Sequence, residues 1–463
     1  MRRSSAPSRT WTCPTRTSTG RSSSRRRHSL PTSDLERLVR SAQSEHRLPS
    51  VSARVVVRGE PALELAIGVA DDGGGRDATP DTQYRIGSIT KTFTAAAVMA
   101  LVDEGKVGLD DPLGTYVSAA GERPLTIRRL LSHASGLQRE PVGHVWETFE
   151  FPTMDELLGS LDQAEQVLEP GAYFHYSNVA YGLLGQVVAE TSGTPYERFV
   201  EERLLGPVGL ERTGFERAEP AARGYYVDPH SGVLRPEAHL RRIDGVAAAG
   251  DLWSTTGDLC RWGAWLRERE PMHAVQIMAD PASWLVAWGL GLILYRRGER
   301  VFYGHDGAMP GHLASLVCSR DEDVQACVLT NSSTGSAAVM ELALKLAETA
   351  IEQKPREPEL WRGHDQPPPE IAELLGTWWS EGEEVVLLWR DGHLEARVPG
   401  APPRVKPSAF EPEGRDLYRV ATGRERGERL EVVRDDSGAV VKLYWATYPL
   451  TRQPELFGPQ VAD

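Results

Sequence analysis

Ser88 and Lys91 stand three positions apart in Gly87-Ser88-Ile89-Thr90-Lys91, at the start of an apolar-periodic run that continues to Lys106. On a helix, residues i and i+3 share a face, so the lysine amine can reach the serine hydroxyl. At the helix start, backbone N–H groups and the dipole favour a developing anion. The same positive end, with burial, depresses a lysine pKa until the neutral amine can take the serine proton. Arginine could not do so, because it keeps its proton. The blander alternative is a serine N-cap followed by a solvated lysine.

Two further groups could complete such a site. Tyr176-Ser177-Asn178 precedes a second apolar-periodic stretch. A phenol can relay a proton to a leaving group, and an amide can hold a substrate carbonyl. The alternative is a tyrosine packed at a helix start with Asn178 as its cap. Gly304-His305-Asp306-Gly307 reads as a strand followed by Pro310-Gly311. Glycine in a strand marks close backbone approach, so a substrate could lie along that edge. The N–H groups of Ser88 and Ala308 would then form an oxyanion hole. The alternative is a strand-end histidine in a turn.

Taken in order, Ser88-Ile89-Thr90-Lys91, Tyr176-Ser177-Asn178 and His305-Asp306-Gly307 resemble the penicillin-recognising serine hydrolases, in the branch of class C β-lactamases, D-stereospecific peptidases and esterases. Leu131-Ser132-His133-Ala134-Ser135-Gly136-Leu137 and Gly250-Asp251-Leu252-Trp253-Ser254 also look like segments of that family, and the likeness covers about residues 34–355. The resemblance implies Ser88 as acylated nucleophile, Lys91 as base and Tyr176 as acid/base partner. It implies Asn178 as the substrate amide contact, with His305 and Gly307 along the strand edge. β-Lactamases usually carry Lys-Thr-Gly as the third motif. His305 is a poorer anchor for a carboxylate, which weakens β-lactam hydrolysis relative to ester or D-residue amide turnover. No Glu-x-x-Leu-Asn motif of the class A enzymes occurs. The expected function is a serine hydrolase working through an acyl-enzyme. The alternatives are an acyl transferase such as a thioesterase or peptide cyclase, and a non-catalytic ligand-binding module. No cofactor motif or metal spacing is found.

The elements that must position these residues follow from patterning. Ser33-Asp34-Leu35-Glu36 is a capping box opening a helix. VSARVVV and ALELAIGVA read as strands around a turn at Arg58 to Pro61. Helical segments dominate from Asp110 to about Pro281, and strands return in WLVAWGLGLILY, RRGERVFYGHDG, HLASLVCSR and VQACVLTN. SAAVMELALKLAETAIEQK closes the region as an amphipathic helix. The expected fold is α/β, an antiparallel sheet covered by helices with a helical subdomain, over residues 31–354. A Pro-rich linker at 355–370 leads to an all-β barrel, lipocalin-like, at 371–463. A hairpin is centred on Asp391-Gly392, and a second lies in ERLEVVRDDSGAVVKLYWATYPL.

Composition excludes other classes. The chain has 463 residues, net charge −13, and eight arginines with no acid in its first 30 residues, a segment expected to be a disordered leader. The acidic body argues against nucleic acid as partner, and no apolar run is long enough to span a membrane. A small-molecule or peptide substrate in the cytoplasm is the expectation. Cys13, Cys260, Cys318 and Cys327 read as free thiols. Only six lysines occur against 46 arginines, so a lysine hints at a place where arginine would not serve.

Overall fold

The computed structural model describes residues 33–458 apart from 239, 359, 364, 365, 403 and 404. The basic leader and Cys13 lie outside the described residues. The chain divides into two units, Met1–Arg356 and Glu357–Asp463.

In the first unit, helix α1 (Asp34–Glu45) begins at Ser33, whose side chain accepts from the Glu36 N–H. Strands β1 (Ser50–Val57) and β2 (Glu60–Asp71) follow, then the short β3 (Arg76–Asp77). Helix α2 (Thr90–Asp103) carries Lys91, helix α3 (Asn178–Ser192) carries Asn178, and α4 (Thr256–Leu266) precedes the return of strands. Those are β4 (Ile277–Met278), β5 (Val286–Trp288), β6 (Ile293–Arg297), β7 (Arg300–Met309), β8 (His312–Ser319) and β9 (Val324–Thr330), and α5 (Ser336–Gln353) ends the unit.

These strands make one antiparallel sheet in the order β3-β2-β1-β9-β8-β7-β6-β5-β4. The first strands of the unit pair with its last, Val51 opposite Thr330 through Val57 opposite Val324. Period-two alternation sorts the side chains by face. Val324, Ala326 and Val328 join Val51, Ala53 and Val55 in a core shared with Leu35, Val39, Leu342 and Leu346 of α1 and α5. Cys327 and Leu329 point the other way, into the larger core that holds α2, α3 and α4. Strand β8 is buried along its whole length, as a central strand covered on both faces must be.

Pairing of β6 with β7 runs only from Ile293 opposite Gly304 to Arg297 opposite Arg300, whereas β7 pairs with β8 out to Met309 opposite His312. Residues 305–309 of β7 therefore have a ladder partner on one side alone. That open edge faces the start of α2.

The second unit is an up-and-down sheet of eight antiparallel strands from Gly376–Ser380 to Tyr448–Leu450, neighbours in space being neighbours in sequence. A bridge between Trp379 and Thr451 brings the last strand to the first, so the sheet is nearly closed into a barrel. Asp391 and Gly392 both have positive φ, 49° and 79°, the conformation a two-residue hairpin turn demands. One feature differs from expectation. A helical turn, Pro369–Ala372, occupies the end of the stretch read as linker, where Pro368 and Pro369 preset the first turn of a helix. Its Ile371 is buried in the barrel core with Leu374 and Trp378.

Candidate active site

Ser88 lies in a single 3-10 turn, Gly87–Ile89, which runs directly into α2. The turn is held from both sides. Tyr84 and Arg85 pair with Ser254 and Trp253, and the Ile86 N–H donates to the Leu252 carbonyl at 3.0 Å. Gly87 has φ 48°, and a Cβ there would sit 2.7 Å from the Ala308 nitrogen. At Gly307 a Cβ would fall 1.9 Å from the Ile86 carbonyl oxygen and 3.2 Å from the Ser88 nitrogen. These two glycines let the β7 edge meet the serine turn backbone to backbone, and so bring the Ser88 and Ala308 N–H groups to one place.

Helix α2 is buried on every side from Thr90 to Met99. Its hydroxyls are satisfied internally: Thr92 donates to the Ile89 carbonyl and accepts from Trp262 Nε1, and Thr94 donates to the Ala248 carbonyl. Trp262 stacks on Phe93 at 3.9 Å. Lys91 is fully buried, which rules out a solvated lysine. Its Nζ lies 2.7 Å from Asn178 Oδ1, 2.7 Å from the Ala249 carbonyl and 3.1 Å from Ser88 Oγ. Burial drives its pKa well below the usual lysine value; Glu140 opposes this and Arg139 reinforces it. A neutral amine has two hydrogens. In that form, with Asn178 and Ala249 each accepting one, the lone pair would face the serine hydroxyl.

Tyr176 closes the other side. Burial pushes its phenol far above the usual tyrosine pKa, while hydrogen bonding with Ser88 pulls it down. His133 stacks beneath the ring at 4.1 Å, and its Nδ1 accepts from the Ser177 N–H at 3.1 Å. His133 thus supports the tyrosine and fixes the backbone that follows it. Ser177 caps α3, its hydroxyl accepting from the Ala180 N–H and donating to the Gln138 carbonyl. Asn178 is therefore not the cap. Its Oδ1 is held by Lys91, and its Nδ2 donates to Glu140 Oε1 at 2.8 Å.

His305 is buried on β7, not in a turn. Its Nδ1 lies 2.6 Å from the Asp306 carbonyl, which can only accept, so Nδ1 carries the proton. Nε2 is then an acceptor, and it is buried with no partner among the described residues. Burial and the nearby Lys91 hold the imidazole neutral, with its pKa lowered to about 3. With the proton on Nδ1, Nε2 can accept a hydrogen bond but not donate one. The Asp306 carboxylate takes hydrogen bonds from Ser315 and Tyr295, which anchors the strand beneath the edge.

Ser88, Tyr176, Trp288, His305, Gly307 and Ala308 line a cavity of about 210 Å3. All seven residues singled out from sequence thus meet around one point, Lys91 and Asn178 directly behind the lining. Sequence reasoning missed Glu140, Arg139, Trp288 and the Ala249 carbonyl. Trp288 packs edge-on to both His305 and Tyr176 at 5.9 Å. The Arg139 guanidinium lies 4.9 Å over the Tyr176 ring, its side chain 63% exposed, with Nε 3.4 Å from Glu140. Only the proximity of Arg139-Glu140 to the Ser132–Leu137 segment could have drawn notice to them. No group of three or more possible metal ligands occurs among the described residues.

A serine, a buried amine, a phenol and two backbone N–H groups around one cavity define a site for acyl transfer through a serine ester. The chain belongs to the Beta-lactamase family, which matches residues 35–350, and a domain of unknown function (DUF7586) matches residues 367–452. It is a serine-type hydrolase acting through an acyl-enzyme on an ester or amide. Penicillin-binding protein 4 of Amycolatopsis lactamdurans is 28% identical over 73% of this chain and 95% of its own length. Esterase EstB of Burkholderia gladioli is 34% identical over 44% of the chain, a match spanning 55% of the esterase. The D-aminopeptidase of Brucella ovis is 26% identical over 90% of this chain and 79% of its own. Among solved structures, D-amino acid amidase from Ochrobactrum anthropi SV3 aligns with TM-score 0.60 and 26% identity, over 69% of this chain and 99% of the amidase. No helix among the described residues is long and apolar enough to cross a membrane.

Proposed function

We propose that Ser88 is the acylated nucleophile, Lys91 its base and Tyr176 the proton relay, and that the substrate is a small ester or amide with a neutral group beside the scissile carbonyl. The Ser88 hydroxyl proton passes to Lys91 Nζ as Oγ bonds to the carbonyl carbon. The resulting oxyanion is held by the Ser88 and Ala308 N–H groups, and the Asn178 Nδ2 hydrogen not given to Glu140 is left to orient the substrate amide. Tyr176 delivers its proton to the departing oxygen or nitrogen as that bond breaks, and takes one back from the Lys91 ammonium. Water, deprotonated by the same pair, then cleaves the serine ester. The route uses side chains and water alone.

The observation that carries this reading is the environment of Lys91: a fully buried amine 3.1 Å from Ser88 Oγ with both other partners acceptors. Substrate preference follows from His305. An unprotonated, buried Nε2 can accept from a substrate N–H or O–H and offers no charge to a carboxylate, which favours amino-acid amides, as the names of the D-aminopeptidase and D-amino acid amidase relatives suggest, and the corresponding esters. The cytoplasm fits as location, since Cys260, Cys318 and Cys327 are free and buried. A fluorophosphonate, read by intact mass and peptide mapping, should add one adduct on Ser88 and none on Ser88→Ala. An adduct on another residue, or none, overturns the assignment.

A further inference from the structure

A second cavity, of about 330 Å3, opens at the turn between β7 and β8 and shares no lining residue with the Ser88 cavity. Its walls bring together the guanidinium groups of Arg85, Arg217 and Arg223, the carboxylates of Asp71 and Glu237, and the His312 imidazole. Arg85 and His312 are each 4% exposed. Arg85 Nη2 donates to the Leu240 and Arg241 carbonyls, but Nη1 makes no hydrogen bond and stands 3.5 Å from Asp251 Oδ1. His312 Nδ1 is likewise buried without a partner. Burial, with Arg85 and Arg217 beside it, lowers the His312 pKa to about 3, so the ring is neutral.

The exposed charges around this cavity do not neutralise one another. Arg217 is paired outward with Glu219 at 2.8 Å. The Arg223 guanidinium has no ion pair or hydrogen bond among the described residues. Asp71 accepts from neutral donors, the Tyr225 hydroxyl and the Gly74 N–H, both at 3.3 Å, and Glu237 accepts from the Ser333 hydroxyl. Arg223 and Asp71 flank Gly73, where a Cβ would lie 3.4 Å from Arg223 Nη1 and 3.7 Å from Asp71 Oδ1. A simple anion entering here meets two carboxylates, and a simple cation meets three guanidiniums. A ligand carrying both charges a few ångströms apart satisfies each set.

We propose that this cavity is a binding site for a small zwitterion, an α-amino acid whose carboxylate lies toward Arg223 and Arg217 and whose ammonium lies toward Asp71 and Glu237. Its volume is large enough for an amino acid. Arg85 stands three residues before Ser88, and His312 three residues beyond Met309 at the end of the open edge, so the ligand contacts both segments that hold the oxyanion amides.

The test uses the full chain with its catalytic serine first blocked by a fluorophosphonate, so that binding in the Ser88 cavity does not contribute. Calorimetric titration with glycine and D-alanine should give one site per chain, at least tenfold tighter than acetate or methylamine. Arg223→Ala and Arg223→Glu should each weaken amino-acid binding at least tenfold without lowering Tm, because the residue is exposed. Absence of amino-acid binding at millimolar concentration, equal binding of acetate, or unchanged binding in both variants overturns the proposal.

Discussion

Glu140→Gln is the most informative single change at this site, because it removes a charge and keeps the shape. Glu140 reaches Lys91 through Asn178: the Nζ to Oδ1 contact is 2.7 Å and the Nδ2 to Oε1 contact 2.8 Å. These two hydrogen bonds and the amide between them put the charges ~7 Å apart, where opposite unit charges attract by about 2 kcal/mol at an effective dielectric constant of ~20. Glu140 is 23% exposed, so about 1–2 kcal/mol is the working figure, or roughly one pH unit. The sign follows from the carboxylate stabilising the ammonium form. Without it Lys91 loses its proton at lower pH, and the acid limb of kcat/KM for a neutral ester moves to lower pH. The plateau stays near the parent value, because glutamine still accepts from Asn178. Arg139 opposes the ammonium form, so Arg139→Gln moves the same limb upward, by less, as its side chain is largely solvated. The assay is a pH series of kcat/KM on parent and both variants, since that ratio reports the free enzyme. An acid limb that ignores Glu140→Gln, or moves in the same direction in both variants, refutes the assignment of that limb to Lys91.

Four further outcomes are expected. Lys91→Arg replaces a base that can lose its proton with a guanidinium that cannot, and should cost more than tenfold in kcat, over about 1.4 kcal/mol of barrier; a smaller loss would assign the base elsewhere. Gly307→Ala forces a methyl onto the Ile86 carbonyl and should lower stability by about 1–3 kcal/mol in denaturant titration, with loss of turnover; a neutral effect would mean that the β7 edge stands farther from the serine turn. His305 and His312, both held to about pKa 3 in the fold, take up protons in the unfolded chain below pH ~6.5, so stability is full above that pH and falls toward pH 3. Tm should accordingly drop between pH 6.5 and 5, where carboxylates remain ionised, and His312→Gln should flatten that slope. Penicillins should be far poorer substrates than neutral esters by kcat/KM, since no lysine or arginine is among the described residues that line the Ser88 cavity; efficient penicillin turnover would contradict that reading.

What was legible in the sequence is what local physics decides. The β-branched alternation in Val51–Val57 and Val324–Thr330 gives strands whose two faces sort into two cores. Asp391-Gly392 makes its hairpin because both residues tolerate positive φ. Ser88 and Lys91 share a helix face whatever the rest of the chain does. What was hidden depends on long-range approach. Glu140 touches Asn178 across 38 positions and Lys91 meets Ala249 across 158, and no periodicity announces either contact. Ser177 rather than Asn178 caps α3, with the asparagine amide turned instead to Lys91 and Glu140, which only their folded neighbourhood reveals.

His305 shows the same boundary at the scale of one proton. The sequence distinguishes an imidazole from the lysine that β-lactamases carry in this motif, and hence a neutral edge from a charged one. It does not say which ring nitrogen holds the hydrogen. That is decided by the Asp306 carbonyl 2.6 Å from Nδ1, and it inverts the ring's role, because Nε2 must then accept. An acceptor buried without a partner among the described residues is costly, and a substrate N–H or O–H would relieve that cost. In the proposed role of His305, substrate recognition and relief of a buried unsatisfied group would be the same event. His305 would then select for a donor beside the scissile carbonyl, on an edge where the β-lactamase motif would select for a carboxylate. If His305 takes the role proposed for it, the change of residue type does more than weaken an anion site: it reverses the polarity of what the open edge of β7 recognises.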